Sequence, residues 1–168
     1  MAPPRVREED HVDPHPVRHV KDLSRLKAQS VMGRFSRGYI LGADTVVVLD
    51  GEILGKPKNE QEARLMLTRL CGRLHEVYTG LTLIDAASGA EVQGYEMTRV
   101  KIRRMTAQEI DAYIGTGEPM DKAGSYGIQG YGAAIVEKVD GCYFNVVGLP
   151  IVRLLHLVRD MERLSGGE

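Results

Sequence analysis

One stretch, Tyr39 to Pro57, restricts the possible folds more than any other part of the chain. Tyr39, Ile40 and Leu41 are apolar and strand-prone, and so are Val46, Val47, Val48 and Leu49. Runs that are apolar on both faces of a strand call for cover on both sides. Between them, Gly42-Ala43-Asp44-Thr45 reads as a polar break that separates two strands. A carboxylate in such a place is costly to bury unless it is paired, holds a metal or faces a cleft. Asp50-Gly51 is the dipeptide favoured in a two-residue hairpin turn, whose central positions both need positive φ. Gly55-Lys56-Pro57 then carries a cation back toward the strand that holds Asp44. One hairpin can therefore present a carboxylate and an ammonium to the same cleft.

The flanking chain reads in simpler terms. Residues 1–16 are rich in proline and charge and read as a loop or frayed terminus. His11, His15 and His19 recur at spacing four, but Pro14 and Pro16 oppose a regular helix there, so solvated histidines are expected. Val17 to Met32 predicts a helix, with Val20, Leu23, Leu26 and Ala28 toward one face and Lys27 as a surface lysine unless a site claims it. Asn59 to Cys71 is the clearest helix. Asn59 can cap it, Glu62 adds a capping-box-like partner, and Ala63, Met66, Leu67 and Leu70 repeat at helical spacing. Strands are expected over Leu74 to Ile84 and Glu91 to Met105. In the second, Arg99, Lys101, Arg103 and Arg104 fit a half-exposed sheet face better than a phosphate site. Thr106-Ala107-Gln108-Glu109 is a capping box that opens a short helix to Ile114. Gly117 to Gly132 is a glycine-dense loop that gathers Asp121, Lys122, Tyr126 and Gln129. Further strands are expected at Ala133 to Val139 and Tyr143 to Val147. Pro150 then opens a last helix with a stripe of Ile151, Leu154, Leu155, Val158 and Met161.

Intermixed helices, strands and hairpins predict an α/β arrangement, a mixed and curved sheet flanked by helices. At 168 residues one domain is expected. A formal net charge of −1 gives no support for sequence-independent nucleic-acid binding. The two cysteines, Cys71 and Cys142, lack metal-ligand or redox spacing, so a reduced cytoplasm is the simplest setting. No apolar run approaches the roughly 20 residues needed to span a bilayer.

Three motifs carry a resemblance. Gly42-Ala43-Asp44-Thr45 with Gly55-Lys56-Pro57, then Glu118-Pro119-Met120-Asp121-Lys122-Ala123-Gly124-Ser125-Tyr126-Gly127-Ile128-Gln129-Gly130, then Gly141-Cys142-Tyr143-Phe144-Asn145-Val146-Val147-Gly148-Leu149-Pro150, together resemble the Maf family of septum-formation inhibitors and nucleotide pyrophosphatases. The likeness covers nearly the whole chain, read as a single domain over residues 1–168. It implies a mixed sheet with helices around it, of Maf/ITPase-like type, and a nucleotide cleft between two lobes. It also implies cleavage of nucleoside triphosphates to monophosphate and pyrophosphate with a divalent metal, magnesium or manganese, in a homodimer. The proton acceptor of the family falls on Asp44 and its two specificity positions on Thr45 and Gln129. Thr with Gln looks like the branch acting on dTTP and UTP, including modified pyrimidine forms. Lys27, in Leu26-Lys27-Ala28, matches the lysine of the family's early helix, and Glu8 its early acidic position.

The residues suit that chemistry, although singly each has a bland reading as a turn, cap or surface group. A triphosphate tail needs cations, which Lys56 and Lys27 supply, and a divalent metal. Hydrolysis at the α-phosphate needs an oriented water, a base such as Asp44, and stabilised phosphoryl oxygens. The Gln129 amide suits the imide edge of thymine or uracil. Family members usually open with a strand and a Ser-x-Ser-Pro-Arg-Arg loop that binds the triphosphate, and this sequence has none. Such a chain is expected to expose a sheet edge and to be a weak or inactive pyrophosphatase. The alternative is a nucleotide-binding regulator linked to septum formation and cell division.

Overall fold

The apolar runs that mark the strands pair into one sheet, and the capped, periodic segments pack as helices against it. In the computed structural model, which describes residues 13–165, the elements run α1 (Pro16–Met32), β1 (Tyr39–Leu49), β2 (Glu52–Leu54), α2 (Glu60–Leu70), β3 (Leu74–Asp85), β4 (Glu91–Ile102), α3 (Ala107–Ile114), β5 (Val136–Asp140), α4 (Tyr143–Val147) and α5 (Ile151–Ser165). Short 3-10 turns occupy residues 118–134 between α3 and β5. The strands lie in the order β2-β1-β3-β4-β5, and every pairing among the described residues is antiparallel. Asp50 (φ 53) and Gly51 (φ 81) form the turn expected between β1 and β2. The α/β arrangement of sheet and flanking helices is thus the expected one.

Successive residues of a strand face opposite sides of the sheet. One side is covered by α1 and the other by α2, α3, α4 and α5. On the second side Val47, Leu49, Val77, Val100 and Ile102 pack against Ala63, Leu67 and Leu70 of α2 and Ile110, Tyr113 and Ile114 of α3. Farther along the same side, Leu81 and Leu83 meet Leu157 and Met161 of α5. On the first side α1 comes unusually close, because two glycines lie beneath it. A Cβ on Gly42 would sit 2.0 Å from the Ser24 carbonyl oxygen, and one on Gly80 would sit 2.3 Å from the Val20 carbonyl oxygen. Neither distance is possible for a real side chain, so these positions let the helix backbone rest on the sheet.

Several sequence expectations change. The polar segment at 42–45 is no break: β1 runs through it unbroken, because Asp44 and Thr45 find polar partners on opposite faces. The strand expected over Glu91 to Met105 stops at Ile102, where the register with β5 shifts. The strand expected from Ala133 starts only at Val136, after a 3-10 turn. Tyr143 to Val147 is a short helix, not a strand. Asn145 pins it to the sheet through its side chain, and Gly148 (φ 112) ends it in the left-handed conformation. In α5 the buried face centres on Leu157 and Met161, while Ile151 and Leu155 are exposed. His19 is buried in α1 and not solvated, since Pro16 sits at the helix start, where a missing N–H costs nothing. His11 lies outside the described residues.

Candidate active site

Asp44 occupies the middle of β1 on the side facing α1 and is 7% exposed. Lys27 reaches it from α1, with Nζ 2.6 Å from Oδ1. The close approach over Gly42 and Gly80 brings the helix near enough for this ion pair. Thr45, the next residue, faces the other side, where its Oγ1 lies 2.8 Å from Thr79 Oγ1. β2 pairs only with Val47 to Leu49, so the edge of β1 around Asp44 has no described strand beside it. A cavity of about 300 Å³ wraps this edge and collects groups from both faces.

Lys27, Asp44, Thr45, Lys56 and Gln129 all line that cavity. The hairpin turn returns the chain so that Lys56 stands at its rim. The glycine-dense segment closes the opposite side. Gly124 N–H donates to the Gly55 carbonyl at 2.9 Å, tying this segment to the residue before Lys56. Glu8 lies outside the described residues.

Other residues of the wall lie beyond the five named candidates, although the sequence gathers Asp121, Lys122 and Tyr126 in the glycine-dense loop. Lys122 and Asp121 line the cavity and form an ion pair with each other. The Lys122 hydrogen bond, with the charge of Lys56 as a lesser influence, holds the Asp121 carboxyl below the usual range. Tyr126 lines the cavity from a buried position, and its hydroxyl lies 2.7 Å from His75 Nε2. Burial pushes the Tyr126 phenol up and the His75 imidazole down to about 4. Glu118 organises the loop that carries Gln129. It accepts from Tyr113 Oη and from the N–H groups of Tyr131 and Gly132, each at 2.8 Å. Burial opposes its ionisation, but these hydrogen bonds and Lys122 hold its carboxyl below the ordinary value. Asn145 lies within the Gly141 to Pro150 motif, but nothing in the sequence assigned it a role of its own.

Among the described residues, no three His, Cys, Asp or Glu side chains gather to hold a metal. Asp44 and Asp121, both on the cavity, form a sparse carboxylate set. That set fits a magnesium-like ion, which takes one or two carboxylates and completes its shell with water and phosphate oxygens. Among the same residues no helix is long and apolar enough to cross a membrane.

The arrangement offers a paired buried carboxylate, three ammonium groups and an amide around one opening. A family model described as Maf-like protein matches residues 1–161. The dTTP/UTP pyrophosphatase of Carboxydothermus hydrogenoformans is 49% identical over 160 residues, covering 95% of this chain and 86% of that protein. The dTTP/UTP pyrophosphatase of Dictyoglomus thermophilum is 47% identical over 159 residues, covering 94% and 82%. That of Alkaliphilus metalliredigens is 52% identical over 141 residues, covering 83% and 73%.

Proposed function

This chain belongs to the Maf-like protein family, and from that premise we infer that it is a nucleotide pyrophosphatase hydrolysing dTTP and UTP to the monophosphate and pyrophosphate. The observation that carries the reading is the Lys27–Asp44 pair in a cavity shared with Thr45, Lys56 and Gln129. Relatives named for this activity, 47% to 52% identical, favour it over the regulatory alternative.

The residues divide the work as follows. A water attacks the α-phosphorus, and Asp44 accepts the proton it loses. The bond from the α-phosphorus to the bridging oxygen breaks, and pyrophosphate leaves with the electron pair. Lys27 fixes the carboxylate in place for this transfer. Lys56 and Lys122 at the rim neutralise the phosphate tail and the charge that develops on the leaving group. Thr45 and Gln129 face the base. Among the described carboxylates Asp44 and Asp121 would hold a divalent ion such as magnesium or manganese, which would supply neutralisation of phosphate oxygens.

A homodimer in the cytoplasm completes the reading. The exposed apolar side chains of Phe144, Val152 and Leu155 on α4 and α5 are surface available to a second copy, and molar mass in solution reads the outcome. The function is tested by pyrophosphate release from dTTP and UTP with magnesium. Asp44→Asn should lower kcat by about 10²- to 10⁴-fold while nucleotide still raises the melting temperature. A wild-type protein that is stabilised by dTTP yet releases no pyrophosphate would establish the regulator instead.

A further inference from the structure

The loop that brings Lys122 and Gln129 to the cavity turns through strained backbone. Gly124 (φ 66) is followed by Ser125 (φ 61), and both lie in the left-handed region. Glycine adopts that conformation freely, but a serine there crowds its Cβ against the neighbouring carbonyl. Such a turn persists only where its surroundings over-determine it. Ser125 is fully buried, and the chain returns to extended backbone at Tyr126 (φ −151).

Among the described residues, four hydrogen bonds tie positions 124–127 to other parts of the fold. The Gly124 N–H donates to Gly55, in the rim turn, at 2.9 Å. Ser125 Oγ donates at 3.1 Å to the Met66 thioether on α2, a weak acceptor. The Gly127 N–H donates to Tyr113 Oη on α3 at 3.2 Å. The fourth bond alone reaches the sheet: Tyr126 Oη lies 2.7 Å from Nε2 of His75, on the middle strand β3. The two rings meet edge to face with centroids 5.3 Å apart. Both residues are buried, so water offers neither a substitute partner. A buried phenol that loses its partner bears the whole desolvation cost of the group, so the tyrosine stays where the histidine is. Tyr126 follows Lys122 by four residues and precedes Gln129 by three, and a shift of its ring passes to both.

We propose that His75 is a positioning residue: through the Tyr126 hydroxyl it fastens the strained turn to the sheet, and so sets where Lys122 and Gln129 stand in the cavity when a nucleoside triphosphate binds. The proposal rests on the nucleotide pyrophosphatase reading above. His75 does not line the cavity and acts only through the tyrosine.

Steady-state kinetics on dTTP with magnesium tests this in Tyr126→Phe, His75→Phe and the double variant. In each single variant KM should rise at least about threefold, and by more than kcat falls, because a displaced turn weakens the hold on substrate while the Lys27–Asp44 pair keeps its place. The double variant should add less than about twofold to the larger single effect, because both substitutions remove the same bond. A merely structural role would lower the melting temperature and leave KM alone. A smaller rise of KM in Tyr126→Phe, or a fall in kcat as large as the rise, overturns the proposal, as does a double variant whose effect is the product of the two single ones. Should His75→Phe fail to fold, Tyr126→Phe decides alone by the same limits, since it removes a single oxygen atom. Wild-type inactivity on dTTP and UTP would sink the pyrophosphatase reading instead. The dissociation constant for dTTP then replaces KM with the same threefold limit, and a wild type that binds no dTTP overturns both.

Discussion

Asp44 and Lys27, at the floor of the cavity, belong to a strand and a helix, whereas Lys56, Lys122 and Gln129, at its rim, belong to turns between elements. The floor is held by backbone against backbone, over two glycines that admit no side chain. The rim is held by hydrogen bonds, chiefly those of Glu118 and the Gly124–Gly55 contact. The contrast teaches that the end holding the Lys27–Asp44 pair inherits the rigidity of the core, while the end carrying Lys56, Lys122 and Gln129 depends on a few replaceable bonds. Damage to the floor should therefore appear first as lost stability, and damage to the rim first as weakened substrate binding.

The largest effect expected breaks the floor. Gly80→Val places a branched side chain where even a Cβ would overlap the Val20 carbonyl, and should cost on the order of 4 kcal/mol or more in chemical denaturation. At the rim, Gly55→Ala meets nothing within 4 Å and should stay within about 0.5 kcal/mol of the wild type. Equal losses in the two variants would erase the distinction.

The next effect tests the support beneath the rim. His75 is buried behind Tyr126, and burial lowers its pKa from 6.5 to about 4. The unfolded chain thus binds this proton first as pH falls. Stability is full above pH 6.5 and declines toward pH 4, by about 3 kcal/mol for this group. Unfolding measured across that window should show a shallower decline in His75→Gln than in the wild type. Identical slopes would mean that the imidazole takes its proton readily in the folded protein.

The smallest effect sharpens the rim. Glu118→Gln puts an NH₂ group against donors that now meet a carboxylate, losing about 1 kcal/mol of stability. KM for dTTP should rise more than kcat falls, since the loop bearing Lys122 and Gln129 loosens while Asp44 keeps its place. A selective fall in kcat would assign Glu118 to the floor.

Sequence legibility followed the same division. The Asp50-Gly51 turn, the Thr106–Glu109 capping box and the helix capped by Asn59 were readable because their signals are local, lying within a few residues of the geometry they specify. Even there, the Glu62 carboxylate turned out to accept from the Lys58 N–H and not from that of Asn59. Asp44 and Thr45 looked like a strand break because their partners, Lys27 and Thr79, are distant in sequence. Tyr143 to Val147 has strand composition and is too short for a helical period to show. Its helix is decided by Asn145 bonding to β3 and β4, which no local pattern reports. The grouping of Asp44, Thr45, Lys27, Lys56 and Gln129 was suggested by motif likeness.

Asp44 pairs across β1 and β3 with Gly80, and Thr45 with Thr79. Because neighbouring strand positions look opposite ways, sliding one strand by a single residue would exchange the two: the hydroxyl would meet the helix and the acid would face the side of the buried Thr79 hydroxyl. Alignment of these two strands is thus part of what shapes the cavity, and a one-residue insertion between Tyr39 and Asp44 should be harder for the protein to absorb than many substitutions inside the cavity itself.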